Sequence, residues 1–171
     1  IPSDPFTGNG LPFNFSRLLA GSEGTLAFIT EIKLNLVPVP PREKGLVCVH
    51  FHTLEEALQA NLLCLRHNPG AVELMDRTIL ECTKSNIEQR RNRFFVQGDP
   101  GAILIVEFAR ESMDEILEIK QNLEKDLRQA GLGYHFPLVT GADIIKVWAL
   151  RKSGLGVLTN IPGDAKPVSL V

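Results

Sequence analysis

The first residues of this chain whose types suggest chemistry are GSEGT, at positions 21–25. Gly21 and Gly24 permit backbone conformations that other residues avoid, and they remove side chains where a ligand must approach the main chain closely. A turn of this kind also exposes several N–H groups together, which suits an anionic or carbonyl-rich ligand. Because the same residues would serve equally well as an ordinary hairpin turn, both interpretations stay open from spacing alone.

Histidine and cysteine are the other residue types that could do chemistry here. His50 and His52 share one face of a predicted strand, a spacing that can hold a metal ion, but we interpret both as structural or surface residues. The three cysteines have no paired spacing, so neither a disulfide framework nor a cysteine metal site is indicated. We expect buried, inert thiols and a reducing compartment. These cysteines are Cys48, Cys64 and Cys82.

Composition excludes several classes of function. The 171 residues are 44% hydrophobic and 22% charged, which is typical of a soluble globular protein with room for one domain, or for a small domain and part of another. The formal net charge of -2 gives no positive field for nucleic acid, and the arginines at positions 90, 91 and 93 are interpreted as a solvated helix end. No apolar run reaches the roughly 18 residues that a membrane-spanning helix needs.

The elements that would position these residues fall into two parts. Residues 26–37 alternate between apolar and mixed positions, which predicts a strand that the prolines at 38, 40 and 41 end. Residues 42–45 are charged and turn-prone, and we predict a domain boundary there. Beyond it, strands are predicted at 46–51, 71–75, 102–108 and 134–139, and helices at 54–67, 77–91, 113–130 and 142–152.

Two strand-helix-strand passages in one small domain predict an α+β sandwich, with a sheet covered on one face by helices. The economical arrangement is ferredoxin-like, with helix 77–91 as an extra element between the two halves. Helix 113–130 has the clearest start signal, because Ser112 is an expected N-cap with Glu115 three residues on.

The residues also carry a family resemblance. Residues 21–40, GSEGTLAFITEIKLNLVPVP, resemble the last strand of the flavin-binding domain in FAD-linked oxidases of the vanillyl-alcohol oxidase superfamily, with Ala27 where Gly is usual and Phe28 where an aliphatic residue is usual. Residues 71–77, AVELMDR, and 147–171, VWALRKSGLGVLTNIPGDAKPVSLV, resemble the C-terminal, substrate-capping domain of D-2-hydroxy-acid dehydrogenases. That group contains the glycolate oxidase subunit, D-lactate dehydrogenase and D-2-hydroxyglutarate dehydrogenase.

The resemblance implies a domain organisation. Residues 1–41 would be the C-terminal end of a PCMH-type FAD-binding domain, and residues 46–171 an incomplete FAD-linked oxidase cap domain. The family's Gly-rich diphosphate loop and its Gly-His-x-Gly-Asp-Gly-Asn segment do not occur in the chain. We therefore expect a middle fragment, whose longer parent binds FAD but which alone retains no FAD and is inactive.

The resemblance also implies site residues. The flavin would be contacted largely through the backbone of Glu23, Gly24, Thr25, Leu26, Ala27, Phe28 and Ile29. Arg151, in a Trp-x-x-Arg match, would hold the substrate carboxylate, and Lys166, in residues 163–167, GDAKP, would lie near the same carboxylate. A helix-end arginine and a turn carboxylate are the alternatives for Arg151 and Glu23. No catalytic role is predicted for Glu73 or Asp76, and residues 154–156, GLG, stand where some members have a hydroxyl residue.

The function implied for the parent is FAD-dependent oxidation of a D-2-hydroxy acid, of the lactate, glycolate or 2-hydroxyglutarate type, to the 2-oxo acid. Electrons would pass to an iron-sulfur or quinone partner, in the cytoplasm or at the inner face of the membrane. The competing hypothesis is a non-catalytic interaction or scaffold module with an inherited flavoenzyme fold. In either case the apolar residues of segment 26–36 are expected to promote a homodimer or aggregation.

Overall fold

A computed structural model describes residues 15–159, and the chain separates into two compact units, residues 1–38 and 39–171. In the first unit, α1 (Phe15–Ala20) leads into the predicted turn. The Thr25 N–H donates to the Ser22 carbonyl at 2.9 Å, and the two residues between them have positive φ, 50° at Glu23 and 78° at Gly24. This is the backbone pattern of a tight type I′ turn. Of the two glycines, only Gly24 uses a left-handed conformation, and the other left-handed position of the turn is taken by Glu23 rather than by Gly21.

The strand predicted at residues 26–37 is not a strand. This segment has no regular secondary structure, and among residues 15–159 no strand pairs with it. A strand is stable only when a neighbour accepts and donates its backbone hydrogen bonds, so an alternating sequence without a partner stays irregular. Its apolar side chains are accordingly exposed, with Phe28 at 93% and Leu36 at 91%.

The second unit contains the sheet. Its elements are β1 (Glu43–Phe51), α2 (Leu54–Cys64) with a 3-10 turn (Leu65–His67), β2 (Ala71–Asp76), α3 (Arg77–Ser85), α4 (Ile87–Arg91), β3 (Ala102–Arg110), α5 (Met113–Gln129), β4 (Leu138–Thr140) and α6 (Asp143–Thr159). The strands lie in the order β2-β3-β1-β4, and all neighbours are antiparallel. The fold is therefore mixed α/β, with two strand-helix-strand passages and α3 and α4 between them.

Helices cover both faces of the sheet, so the prediction of one covered face was wrong. Val47, Val49 and Phe51 of β1 belong to one core cluster, with buried residues of α2 and α5. Leu46 and Cys48 point the other way, into a second cluster with Leu80 of α3 and with Val147 and Leu150 of α6. Residues on both sides of β1 are buried, which is why its sequence is almost continuously apolar.

Four predicted boundaries also differ from the structure. The helix predicted at 77–91 is broken at Asn86, whose extended backbone ends α3 and whose side chain accepts from the Gln89 N–H to cap α4. Glu43 to Gly45 belong to β1 rather than to a turn. Only residues 138–140 of segment 134–139 form a strand, and His135 makes an isolated bridge with His50. Helix α6 continues to Thr159, seven residues beyond the predicted end.

Candidate functional site

Arg151, the predicted carboxylate-binding arginine, lies on helix α6 beside the residues that this helix buries against the sheet. Val147 and Leu150 are fully buried against the sheet, and Trp148 packs against the same cluster. Arg151 follows Leu150 directly, so its side chain leaves the core and 37% of it is exposed. Because α6 runs to Thr159, Arg151 lies inside the helix and not at its end, which removes the helix-end interpretation.

The guanidinium of Arg151 is held by Glu73 of β2. Its Nε and Nη2 atoms both donate to Oε2 of Glu73, at 3.0 and 2.8 Å. The Glu73 side chain is 39% exposed, so the pair lies at the edge of the sheet within reach of solvent. Two charge-assisted bonds to one oxygen fix the plane of the guanidinium as well as its position.

Glu73 was missed by the sequence reasoning, although the sequence carried a signal. Alternation along β2 places Glu73 on the same face as Met75, which is fully buried in the cluster beneath α6. A carboxylate on a face covered by a helix needs a cationic or hydrogen-bonding partner, and Arg151 is the cation that α6 places there. Asp76, in contrast, has a local role, because it accepts from the Ile79 N–H and caps α3.

A second ion pair lies on the same face of the sheet. Lys44 of β1 and Glu107 of β3 approach to 3.5 Å between Nζ and Oε1. Glu107 pairs with Ala71 in the β2–β3 register, so it is a diagonal neighbour of Glu73, which pairs with Ile105. Two ion pairs, Lys44–Glu107 within the sheet and Glu73–Arg151 between the sheet and α6, therefore lie at the margin of an apolar core.

His50 has a structural role, as predicted. Its ring is fully buried, and Nδ1 lies 2.8 Å from the Cys48 carbonyl while Nε2 accepts from the Gln97 N–H at 3.2 Å. Nδ1 is therefore the protonated nitrogen, and both ring nitrogens are occupied. Burial lowers the pKa of His50 from 6.5 to about 4, with the nearby His135 acting in the same direction. His52 lies outside β1 and stacks on Tyr134.

The described residues contain no group of three or more side chains suited to a metal ion. Burial raises the pKa of the Cys48 and Cys64 thiols to about 12, which makes them inert as expected. Cys82 is only half-buried, so the expectation of burial was wrong for that residue. No helix within residues 15–159 is long and apolar enough to cross a membrane.

The segment predicted to contact flavin is open along its backbone. Residues 23–29 are exposed, and the N–H groups of residues 26–29 have no hydrogen-bond partner within the described part of the chain. A Cβ added at Gly24 would meet no atom within 4 Å. These features fit a cofactor that is bound mainly through main-chain groups. Lys166, the other predicted carboxylate ligand, lies outside the described residues.

Comparison with known proteins identifies the family. The model of the FAD linked oxidases, C-terminal domain, matches residues 40–171, which includes the whole sheet and both core clusters. The chain belongs to the FAD-linked oxidases. The match covers β2 and α6, so Glu73 and Arg151 both lie in the FAD-linked oxidase C-terminal domain.

Relatives of the chain include D-2-hydroxyglutarate dehydrogenases and D-lactate dehydrogenases. D-2-hydroxyglutarate dehydrogenase from Haemophilus influenzae is 31% identical over 170 residues, and that from Pseudomonas putida is 29% identical over 168. Each alignment covers 93% of this chain but 16% of the relative. D-lactate dehydrogenase from Anaerostipes hadrus is 25% identical over 142 residues, covering 81% of this chain and 30% of the relative. The chain thus spans a small part of the proteins it matches.

Proposed function

We propose that this chain is part of a longer FAD-dependent enzyme that oxidises a D-2-hydroxy acid of the 2-hydroxyglutarate, lactate or glycolate type. In this proposal residues 46–171 form a ferredoxin-like substrate cap, and residues 1–41 are the end of a PCMH-type flavin domain. The strand order β2-β3-β1-β4 with two split strand-helix-strand units supports the ferredoxin-like description. The family match over residues 40–171 supports the cap assignment.

The observation that carries the proposal is the half-exposed guanidinium of Arg151, oriented by two bonds to Glu73. A planar guanidinium can bind a carboxylate through two parallel hydrogen bonds, which fixes the orientation of the acid as well as its position. Holding the carboxylate in this way turns binding into alignment of the C2–H bond for reaction. Lys166 is proposed as a second cation near the same carboxylate.

The cofactor of this proposal is FAD, held in the longer protein by the backbone of residues 23–29. The chemistry that bound FAD supplies is acceptance of a hydride from C2 of the hydroxy acid. The first unit contributes an exposed main chain, in which the N–H groups of residues 26–29 have no hydrogen-bond partner among residues 15–159. The second unit contributes Arg151, proposed to bind the carboxylate. An iron-sulfur or quinone partner is proposed as the electron acceptor.

The test uses the longer protein under anaerobic conditions, with the flavin absorbance band followed after addition of D-2-hydroxyglutarate, D-lactate or glycolate. We expect one of these acids to bleach the band. The substitution Arg151→Gln should raise the acid concentration needed by about 100-fold or more, since two hydrogen bonds to charged groups contribute roughly 1.5–3 kcal/mol each.

Arg128→Gln is the matched control, because Arg128 is an exposed arginine of α5 that pairs with Glu124, and α5 packs on the opposite face of the sheet. It should leave the concentration dependence unchanged. A protein that no hydroxy acid bleaches would refute the proposed activity and favour the scaffold hypothesis. If the Arg151→Gln and unsubstituted proteins were bleached at the same acid concentration, the role of Arg151 would be refuted but the proposed activity would not.

A further inference from the structure

Glu73 and Arg151 are joined in a geometry that leaves one edge of the guanidinium available. Arginine has five N–H donors: one on Nε and two each on Nη1 and Nη2. Glu73 Oε2 accepts from Nε and from Nη2, which is the side-on arrangement. Among residues 15–159 no partner is found for Nη1. The outer edge formed by Nη1 and Nη2 is therefore available for a second carboxylate.

We propose that Glu73 is the positioning residue of the carboxylate site: it holds Arg151 side-on, so that a hydroxy-acid carboxylate binds end-on to Nη1 and Nη2 at the same time. This inference rests on the proposed function, because it concerns the same arginine. It adds to that function a residue with no contact to the substrate. Arg151 then binds two carboxylates, one from the protein and one from the ligand.

Rigidity supports this role for Glu73. An arginine side chain has many rotamers, and fixing it on ligand binding costs conformational entropy. Glu73 removes this cost in advance, because it projects from a strand whose register with β3 is set by six residue pairs. The exposed fractions are 37% for the Arg151 side chain and 39% for the Glu73 side chain, so the pair is open to solvent. In this proposal the ligand binds the outer edge of the guanidinium and the glutamate stays in place.

If Glu73 merely competed with the ligand for Arg151, removing Glu73 would strengthen the binding of the acid rather than weaken it. A carboxylate beside Arg151 lowers the positive potential that an anionic acid experiences, so removing it would strengthen binding. If Glu73 positions Arg151, removing it weakens binding instead. The sign of the change in KM therefore separates a positioning role from competition.

The kinetic test uses Glu73→Ala and Glu73→Gln in the longer protein, with flavin reduction by the hydroxy acid as the assay. We expect Glu73→Ala to raise KM by about 10-fold or more, with a smaller change in kcat, because the carboxylate is held in the ground state and the transition state alike. Glu73→Gln should recover part of the loss, since its amide oxygen can still accept from Nε and Nη2.

Glu107→Gln is the matched control for the loss of a negative charge. Glu107 is on the same face, diagonal to Glu73, and pairs with Lys44 rather than with Arg151. Its KM should equal that of the unsubstituted protein. A KM that falls in Glu73→Ala, stays the same, or rises equally in the Glu107 variant would overturn the proposal.

A second measurement tests the positioning directly and does not depend on activity. In the 171-residue chain, the NMR signal of the Arg151 Nε–H, assigned by its loss in Arg151→Lys, should shift and exchange faster with water in Glu73→Ala but not in Glu107→Gln. An unchanged signal in Glu73→Ala would refute side-on positioning. A shifted signal in a protein whose flavin no acid reduces would support the positioning of Arg151 while refuting the proposed activity.

Discussion

The imidazole of His50 is a buried base that the fold keeps neutral. Its nitrogens are used by the Cys48 carbonyl and the Gln97 N–H, and burial lowers its pKa from 6.5 to about 4. The unfolded chain therefore binds a proton between these pH values while the folded chain does not. The stability that the neutral His50 ring contributes is therefore fully present above pH 6.5, and this contribution is lost as the pH falls toward 4.

We predict that the titration of His50 lowers the free energy of unfolding by about 3 kcal/mol between pH 7 and pH 4, since each pKa unit corresponds to 1.36 kcal/mol. The measurement is the free energy of unfolding by urea across this range, for the unsubstituted chain and for His50→Gln, which has no titrating ring. The variant should be less stable at pH 7 but should show a shallower fall with acid. An NMR titration with a His50 midpoint near its ordinary value would contradict the prediction.

The residues of the candidate site differ in how far the sequence could predict them. Arg151 was singled out because its Trp-x-x-Arg context resembles a family motif. Glu73 was not, since its partner is 78 residues away and depends on where α6 crosses the sheet. Long-range pairs of this kind follow from tertiary packing, which local patterns do not contain. The assignments of residues 23–29 and Lys166 remain predictions.

Among the elements, those with strong local signals were predicted correctly. Helix α5 has a periodic apolar face, and Ser112 caps it by accepting from the Glu115 N–H, as its sequence indicated. The prediction of a strand over residues 26–37 was wrong because a strand needs a neighbouring strand to pair its backbone hydrogen bonds. The break at Asn86 was not predicted, because the apolar periodicity of segment 77–91 indicated one continuous helix. The asparagine side chain instead favours a helix cap.

The connection into β3 packs backbone closely against backbone at Gly101. Gly101 donates its N–H to the Phe51 carbonyl at 2.9 Å, and an added Cβ would lie 2.1 Å from the His52 carbonyl oxygen. Since backbone atoms cannot give way as a flexible side chain does, Gly101→Ala should destabilise the fold by roughly 1–3 kcal/mol. Thermal or urea unfolding would measure this.

Gly70→Ala is the control for Gly101→Ala. Gly70 lies just before β2, and an added Cβ would come no closer than 3.7 Å, to the Glu107 carbonyl. The substitution should leave the stability unchanged or raise it by up to about 1 kcal/mol through the lower entropy of the unfolded chain. If Gly70→Ala and Gly101→Ala changed the free energy of unfolding by the same amount, the close approach at Gly101 would not explain why that position is glycine.

At the scale of the whole molecule, the two units differ in how they treat apolar residues. The second unit buries its apolar residues on both faces of a sheet, whereas segment 26–37 of the first leaves Phe28, Leu34 and Leu36 between 78% and 93% exposed. Several large apolar side chains exposed within one short segment form a surface that water solvates poorly, and extended chain can pair with another copy. We predict that the 171-residue chain self-associates through this segment.

Light scattering and sedimentation at several protein concentrations would test this prediction. The triple substitution Phe28→Ser, Leu34→Ser and Leu36→Ser should shift the chain toward monomer, because it removes apolar area without touching either core cluster. The matched control is Ile87→Ser with Ile145→Ser, which alters two aliphatic side chains of the second unit that are 81% and 73% exposed. If apolar exposure in general drove association, both sets would act alike. If the extended segment drives it, only the triple substitution reduces the mass, and a monomeric unsubstituted chain would exclude both explanations.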